Sequence, residues 1–190
     1  MKRSLTSALR SDYRYFLDGS SWYERSRSLH ALASAGQFDA AYFSELARNA
    51  RVLGPDGVAD VLLAATRADQ TDSAAAQALA KRLEGEILLT LYQGEERYNG
   101  LKSWRTDQNP LIIPSEAYAL ATITRALGRA LPDSDQIAHG VDALVTVGGE
   151  DGWGDSRADA AAMLALGERF QKADGEPVKA LITEGADTDT

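Results

Sequence analysis

The feature that most constrains this chain is the run Gly152-Trp153-Gly154-Asp155-Ser156-Arg157, which leads without a break into Ala158-Asp159-Ala160-Ala161-Ala162-Met163-Leu164-Ala165-Leu166. Glycines on both sides of a tryptophan let the backbone turn through conformations denied to other residues. Asp155 or Ser156 then stands where a side-chain oxygen caps the orphan amides of a helix. Along that helix Ala158, Ala161, Ala162 and Ala165 form one stripe at helical spacing, and Met163, Leu166 and Phe170 form a second, larger one. A helix apolar on two faces is packed on two sides. The pattern predicts an inner helix of a layered all-α fold, with Gly152, Trp153, Gly154, Asp155 and Ser156 as its structural turn.

Similar signals run along the rest of the chain. A helix is expected over Met1 to Leu17, ending at Asp18-Gly19. Ser21 with Glu24 has the capping-box spacing and opens a second helix, which closes at Gly36. Asp39 starts a third through Phe43 and Leu46. Pro55 stands at the head of a fourth carrying Val58, Val61, Leu62 and Ala65, and Asp72 or Ser73 opens an alanine-dense fifth. The segment Ile87-Leu88-Leu89-Thr90-Leu91-Tyr92 is rich in β-formers, and Asn99-Gly100 is a hairpin-turn dipeptide, so a small β-hairpin is expected near 86–103. Trp104 to Pro110 reads as loop. Helices resume at Pro114-Ser115, again at Asp133 or Ser134, and after the tryptophan turn, with a short one over Pro177 to Ile182. The repeating unit is a helix pair of roughly 35–45 residues, the size of helical-repeat and toroid modules. Residues 1–184 are expected to form one domain, and 185–190 a disordered acidic tail.

Composition excludes several classes of function. The chain carries 190 residues, is 44% hydrophobic and has no cysteine, so disulfides, cysteine metal sites and thiol nucleophiles are ruled out within it. Its net charge of −8 argues against nucleic acid, which needs clustered Lys and Arg. No apolar run is long enough to cross a bilayer, and the N-terminus lacks the apolar core of a signal peptide. The two histidines, His30 and His139, have no Gly-x-Ser-x-Gly elbow to serve. His30 lies among Leu29, Ala31 and Leu32 and reads as a half-buried structural residue, while His139 reads as surface. Asp133-Ser134-Asp135 opens a helix, where acids cap in any case. The loop from Gly148 to Gly154 lacks the Lys-Ser/Thr of a phosphate loop and the alternating oxygens of a calcium loop. Trp22, Trp104, Trp153 and the tyrosines read as core and inter-helix wedges. No catalytic set, cofactor or metal is expected, and the chain is not expected to be an enzyme.

The stretch from Pro114 to Phe170 resembles the last part of the thioester-containing, terpenoid-cyclase-like helical toroid of bacterial alpha-2-macroglobulins. The carrying residues are Ser115-Glu116-Ala117-Tyr118-Ala119-Leu120-Ala121, a connecting helix ending in Leu144, and the turn and helix from Gly152 to Ala160. Arg25 to Gly36 is similar to the family's small-residue helix ending in glycine. The resemblance implies an incomplete α/α-toroid of antiparallel helix pairs, eight or nine helices where a closed double ring has about a dozen. It implies a non-catalytic part of a broad-range protease inhibitor of the bacterial periplasm. Its partners would be the inhibitor's other domains and, through them, proteases. The family's thioester Cys and Gln lie ahead of the helices matched, and without Cys no capturing bond forms within this chain. Either a truncated toroid or a thioester-less member fits. An open segment is expected to expose apolar surface and to take up a partner, its own missing half or a second copy. The rival readings are a terpenoid-cyclase or prenyltransferase-like enzyme on the same toroid, and a free-standing helical-repeat scaffold.

Overall fold

A row of helices flanked by others organises the computed structural model, which describes residues 2–10, 20–103 and 115–172. Eight helices occur there: α1 (Lys2–Arg10), α2 (Ser20–Ser34), α3 (Ala40–Arg48), α4 (Pro55–Arg67), α5 (Ala74–Glu84), α6 (Glu116–Ala130), α7 (Gln136–Val147) and α8 (Ser156–Lys172). Between α5 and α6 lies an antiparallel hairpin of β1 (Ile87–Tyr92) and β2 (Glu95–Leu101). The described residues are therefore mostly helical with one small two-stranded sheet. The even-numbered helices form a row in which α2 packs on α4, α4 on α6 and α6 on α8. The odd-numbered helices flank that row, with α1 on α2, α3 on α4, α5 on α4 and α6, and α7 on α6.

Local chemistry explains the helix ends. Asp39 accepts from the Ala41 and Tyr42 amides, Ser73 from Ala76, and Ser115 from Tyr118. Gly36, at φ 74°, closes α2 by placing its own amide on Ala33 O and that of Gln37 on Leu32 O. Pro55 sits at the first position of α4, where its missing N–H costs nothing. At the head of α8 the cap is Asp155, not Ser156: its Oδ1 accepts from the Arg157 and Ala158 amides at 2.9 and 2.8 Å.

Three expectations are corrected here. α8 is not an inner helix packed on two sides: its alanine stripe is buried on α6, but Met163 and Phe170 of the second stripe are 67% and 62% exposed. Asn99-Gly100 does not make the hairpin turn. The turn is Gln93-Gly94, both with positive φ (53° and 87°), the geometry of a two-residue type I′ loop. Asn99 and Gly100 instead fall where the register shifts between Ile87 and Leu89, and Gly100 (φ 95°) supplies a bulge. Neither Asp133 nor Ser134 caps α7. The helix begins at Gln136 without a side-chain cap, and Ser134 spends its hydroxyl on Glu84 of α5 at 2.8 Å. Residues 11–19, 104–114 and 173–190 lie outside the described residues. So do the end of the first expected helix, the Trp104 loop, the Pro177–Ile182 helix and the acidic tail.

The core runs through the middle of the row. Every residue of α4 from Val58 to Ala65 is buried, and α6 is buried over most of its length. Such helices are covered on opposite sides by their row neighbours and from behind by the flanking helices. The hairpin is anchored at its base by buried Glu86, which accepts from the Ser103 amide and hydroxyl at 3.0 and 2.9 Å.

Candidate functional site

Side chains from the four helices of the row come together in one polar cluster. From α2 come Tyr23, Arg27 and His30; from α4, Asp56 and Asp60; from α6, Tyr118; from α8, Arg157. Their placement follows helical spacing. Tyr23, Arg27 and His30 are four and three residues apart on α2, and Asp56 and Asp60 are four apart on α4, so each set shares one helix face.

Arg27 is the centre. Its guanidinium carbon lies 4.1 Å from the Tyr23 ring centroid and 4.7 Å from that of Tyr118. The Arg157 guanidinium lies 4.8 Å from the same Tyr118 ring. Cations over aromatic faces gain from the ring quadrupole, more so where water is excluded. Two carboxylates face Arg27: Asp56 Oδ2 is 3.7 Å from its Nη2, and Asp60 Oδ2 is 3.7 Å from its Nε. Asp60 is only 2% exposed. Its Oδ1 lies 2.8 Å from His30 Nδ1, whereas Oδ2 and the Arg27 Nε and Nη2 have no protein hydrogen-bond partner. A carboxylate only accepts, so this geometry puts the proton on Nδ1 of His30.

Burial sets the protonation behaviour. It pushes the Asp56 carboxyl above the usual carboxylate range, against the hydrogen bond with Tyr23 and the field of Arg27, which pull it down. The Tyr23 phenol is driven far up, first by burial and then by the Asp56 charge. Tyr118 is raised for the same first reason, with Asp60 next. Both phenols stay neutral in the physiological range and serve as rings and hydrogen-bond donors.

The cluster holds a hydrogen-bonded Asp–His pair, and among the described residues no hydroxyl is hydrogen-bonded to it. Ser26, buried beside it on α2, gives its hydroxyl to Tyr23 O at 2.8 Å. Among the described residues no group of three or more His, Asp or Glu is placed to hold a metal. What the arrangement does is tie four helices together by charge and stacking.

The expected turn meets this cluster. Gly149 and Gly152 exchange backbone hydrogen bonds, Trp153 Nε1 donates to Leu144 O at 2.8 Å, and the Trp153 amide donates to Asp159 Oδ1 at 2.7 Å. Gly152 stands at φ 90°, and a β-carbon there would lie 2.6 Å from Asp159 Oδ1. With Asp155 capping α8, the corner delivers Arg157 to Tyr118. The other residues weighed from sequence are elsewhere. His139, partly buried, faces Glu96 of the hairpin at 3.5 Å, and Asp133 and Asp135 are exposed in the α6–α7 loop. His30 is partly buried as expected, but its acid partner was not foreseen. Asp60 is the residue that sequence reasoning passed over. The available signal was an aspartate between Ala59 and Val61 inside an otherwise apolar helical run. No family model matches the chain, and neither a curated protein nor a solved structure does.

Proposed function

We propose that the chain is a non-catalytic helical segment of an alpha-2-macroglobulin-like protease inhibitor of the periplasm, one arc of an α/α-toroid that works through contact with other domains. The observation that carries this reading is the contrast between the two faces of α8. Its alanine stripe is buried against α6, with Ala158 and Ala162 at 0% and Ala165 at 3% exposure. The opposite face keeps Met163, Leu164 and Phe170 at 67%, 52% and 62% exposure. In the same row α4 and α6 are covered on both sides. A face this apolar at the edge of a row suits a further helix continuing it.

The alternation of row and flanking helices supports the toroid arc, and the tryptophan corner is where the resemblance to the family is densest. The polar cluster, with neither nucleophile nor metal group among the described residues, fits a structural role better than an enzymatic one. The test uses the product of the complete reading frame that contains this chain, mixed with an equimolar amount of trypsin. The expected result is a trypsin-containing complex on size exclusion that Met163→Glu/Phe170→Glu weakens. Trypsin eluting free from the unsubstituted product overturns the inhibitor reading. Turnover of a prenyl diphosphate would install the cyclase-like enzyme in its place.

A further inference from the structure

Away from the polar cluster, toward the later turns of α6 and α8, a cavity of about 410 Å³ opens between α6, α7 and α8. That volume lies within the range of small-ligand pockets. Its walls are largely apolar, from Ile137, Ala165, Pro132 and the space beside Gly128, where an added β-carbon would meet nothing within 4 Å. Its charged lining is uneven. Among the described lining residues, Arg125, Arg129 and Arg169 stand against a single carboxylate, Glu168. Arg125 Nη2 and Arg129 Nη2 both donate to Glu168 Oε1 at 2.8 Å, and Arg129 Nε donates to Oε2 at 3.0 Å. One glutamate cannot neutralise two guanidinium groups, and Arg169 adds a third. In a chain of net charge −8 this is a local excess of positive charge.

Partial burial works to raise the Glu168 carboxyl, yet the two arginines overturn it and hold it at about 2, as a positive field would. The acids of the neighbouring loop, Asp133 and Asp135, do not line the cavity.

We propose that this cavity binds a small apolar carboxylate, its chain lying along Ile137 and Ala165 and its head paired with Arg169 at the rim. A guanidinium matches a carboxylate by two parallel hydrogen bonds. Glu168 already occupies the space between Arg125 and Arg129, which favours a monoanion over a dianionic phosphate. An apolar wall with one anchoring charge selects amphiphiles over acetate or inorganic ions.

The test is titration of the chain with octanoate by isothermal calorimetry at pH 7, with octanol and acetate as controls. Octanoate is expected to bind at one site and at least tenfold more tightly than either control. Arg169→Gln is expected to weaken it about three- to tenfold. Gly128→Leu, which adds a side chain at the wall of the cavity, is expected to abolish it while circular dichroism stays helical. No octanoate binding, equal binding of octanol, or full binding by a folded Gly128→Leu chain would each overturn the assignment.

Discussion

The indole N–H of Trp153 donates to the carbonyl of Leu144 across the corner between α7 and α8, at 2.8 Å. The same carbonyl accepts the Gly148 amide at 3.0 Å, so two donors finish the C-terminus of α7 at one oxygen. The ring meanwhile packs on the core, and a β-carbon at Gly148 would come within 3.1 Å of it.

Trp153→Phe keeps most of the ring and removes the donor. It is expected to cost about 1 kcal/mol, the net worth of one such hydrogen bond. Trp153→Ala also loses the packing and is expected to cost about 3 kcal/mol. Urea denaturation of both variants checks the ratio. Equal losses would mean that the hydrogen bond carries the corner and the ring does not.

Gly140 on α7 lies directly against Thr124 on α6. A β-carbon there would collide with Thr124 Oγ1 and stand 3.2 Å from its Cβ and Cγ2. Thr124 is 2% exposed and its hydroxyl is tied to Leu120 O at 2.8 Å, so it has no room to yield. Gly140→Ala is therefore expected to destabilise by about 1–3 kcal/mol, against the gain in helix propensity that alanine brings elsewhere. The double variant Gly140→Ala/Thr124→Ala is expected to recover most of the loss, read as a shift of the thermal midpoint.

Arg27 stands between two tyrosine rings and two carboxylates, one of them deeply buried. Arg27→Met leaves the buried Asp60 with His30 as its remaining partner and is expected to cost about 3 kcal/mol. Arg27→Lys restores charge without the planar stacking and is expected to recover only part of that. If Arg27→Met unfolds at the same urea concentration as the parent chain, the cluster does not hold the row together.

Glu168 gives the acid limb of stability its direction. Its folded pKa, about 2, is below the unfolded value of 4.5, so the stabilisation is complete above pH 4.5 and is lost as pH falls toward 2. Glu168→Gln is expected to flatten the midpoint-against-pH curve in that window and to lower stability at pH 7. Asp56, whose carboxyl is raised, acts in the opposite sense: its proton is held more tightly in the folded state, so acidification favours folding there. A Glu168→Gln curve parallel to that of the parent chain between pH 5 and 2 would refute the assignment.

The exposed face of α8 predicts a variant that is silent for folding and loud for association. Met163→Glu/Phe170→Glu replaces two side chains that are 67% and 62% exposed, so the thermal midpoint is expected to move by less than about 2 °C. Binding of the dye ANS is expected to fall, since these residues supply much of the exposed apolar surface of α8. Unchanged dye fluorescence would place the sticky surface elsewhere, with Leu91 and Tyr92 of the hairpin (72% and 60% exposed) as the alternative.

Helix positions were legible because the signals that make them are local. Asp39, Ser73 and Asp155 cap with their own side chains, Pro55 and Gly36 act through their own φ, and the alanine stripe of α8 faces the core as its spacing requires. Asn99-Gly100 misled because one dipeptide suits a turn and a bulge equally, and strand register chose between them. Ser134 was diverted from capping by Glu84, a residue 50 positions away. The polar cluster was illegible for the same reason. Arg27, Asp60, Tyr118 and Arg157 lie on four helices, and no spacing along the chain announces that they meet.

By itself, then, the sequence determined which of the described segments are helical, where most of them start, and that α8 has two apolar faces, because hydrogen bonding and capping act over three or four residues. Only the tertiary structure decided which of those faces is covered, where the hairpin turns, and that a buried aspartate, a histidine and a stacked arginine meet between α2 and α4. Those outcomes depend on which helices pack side by side, a competition among distant surfaces that no local pattern records.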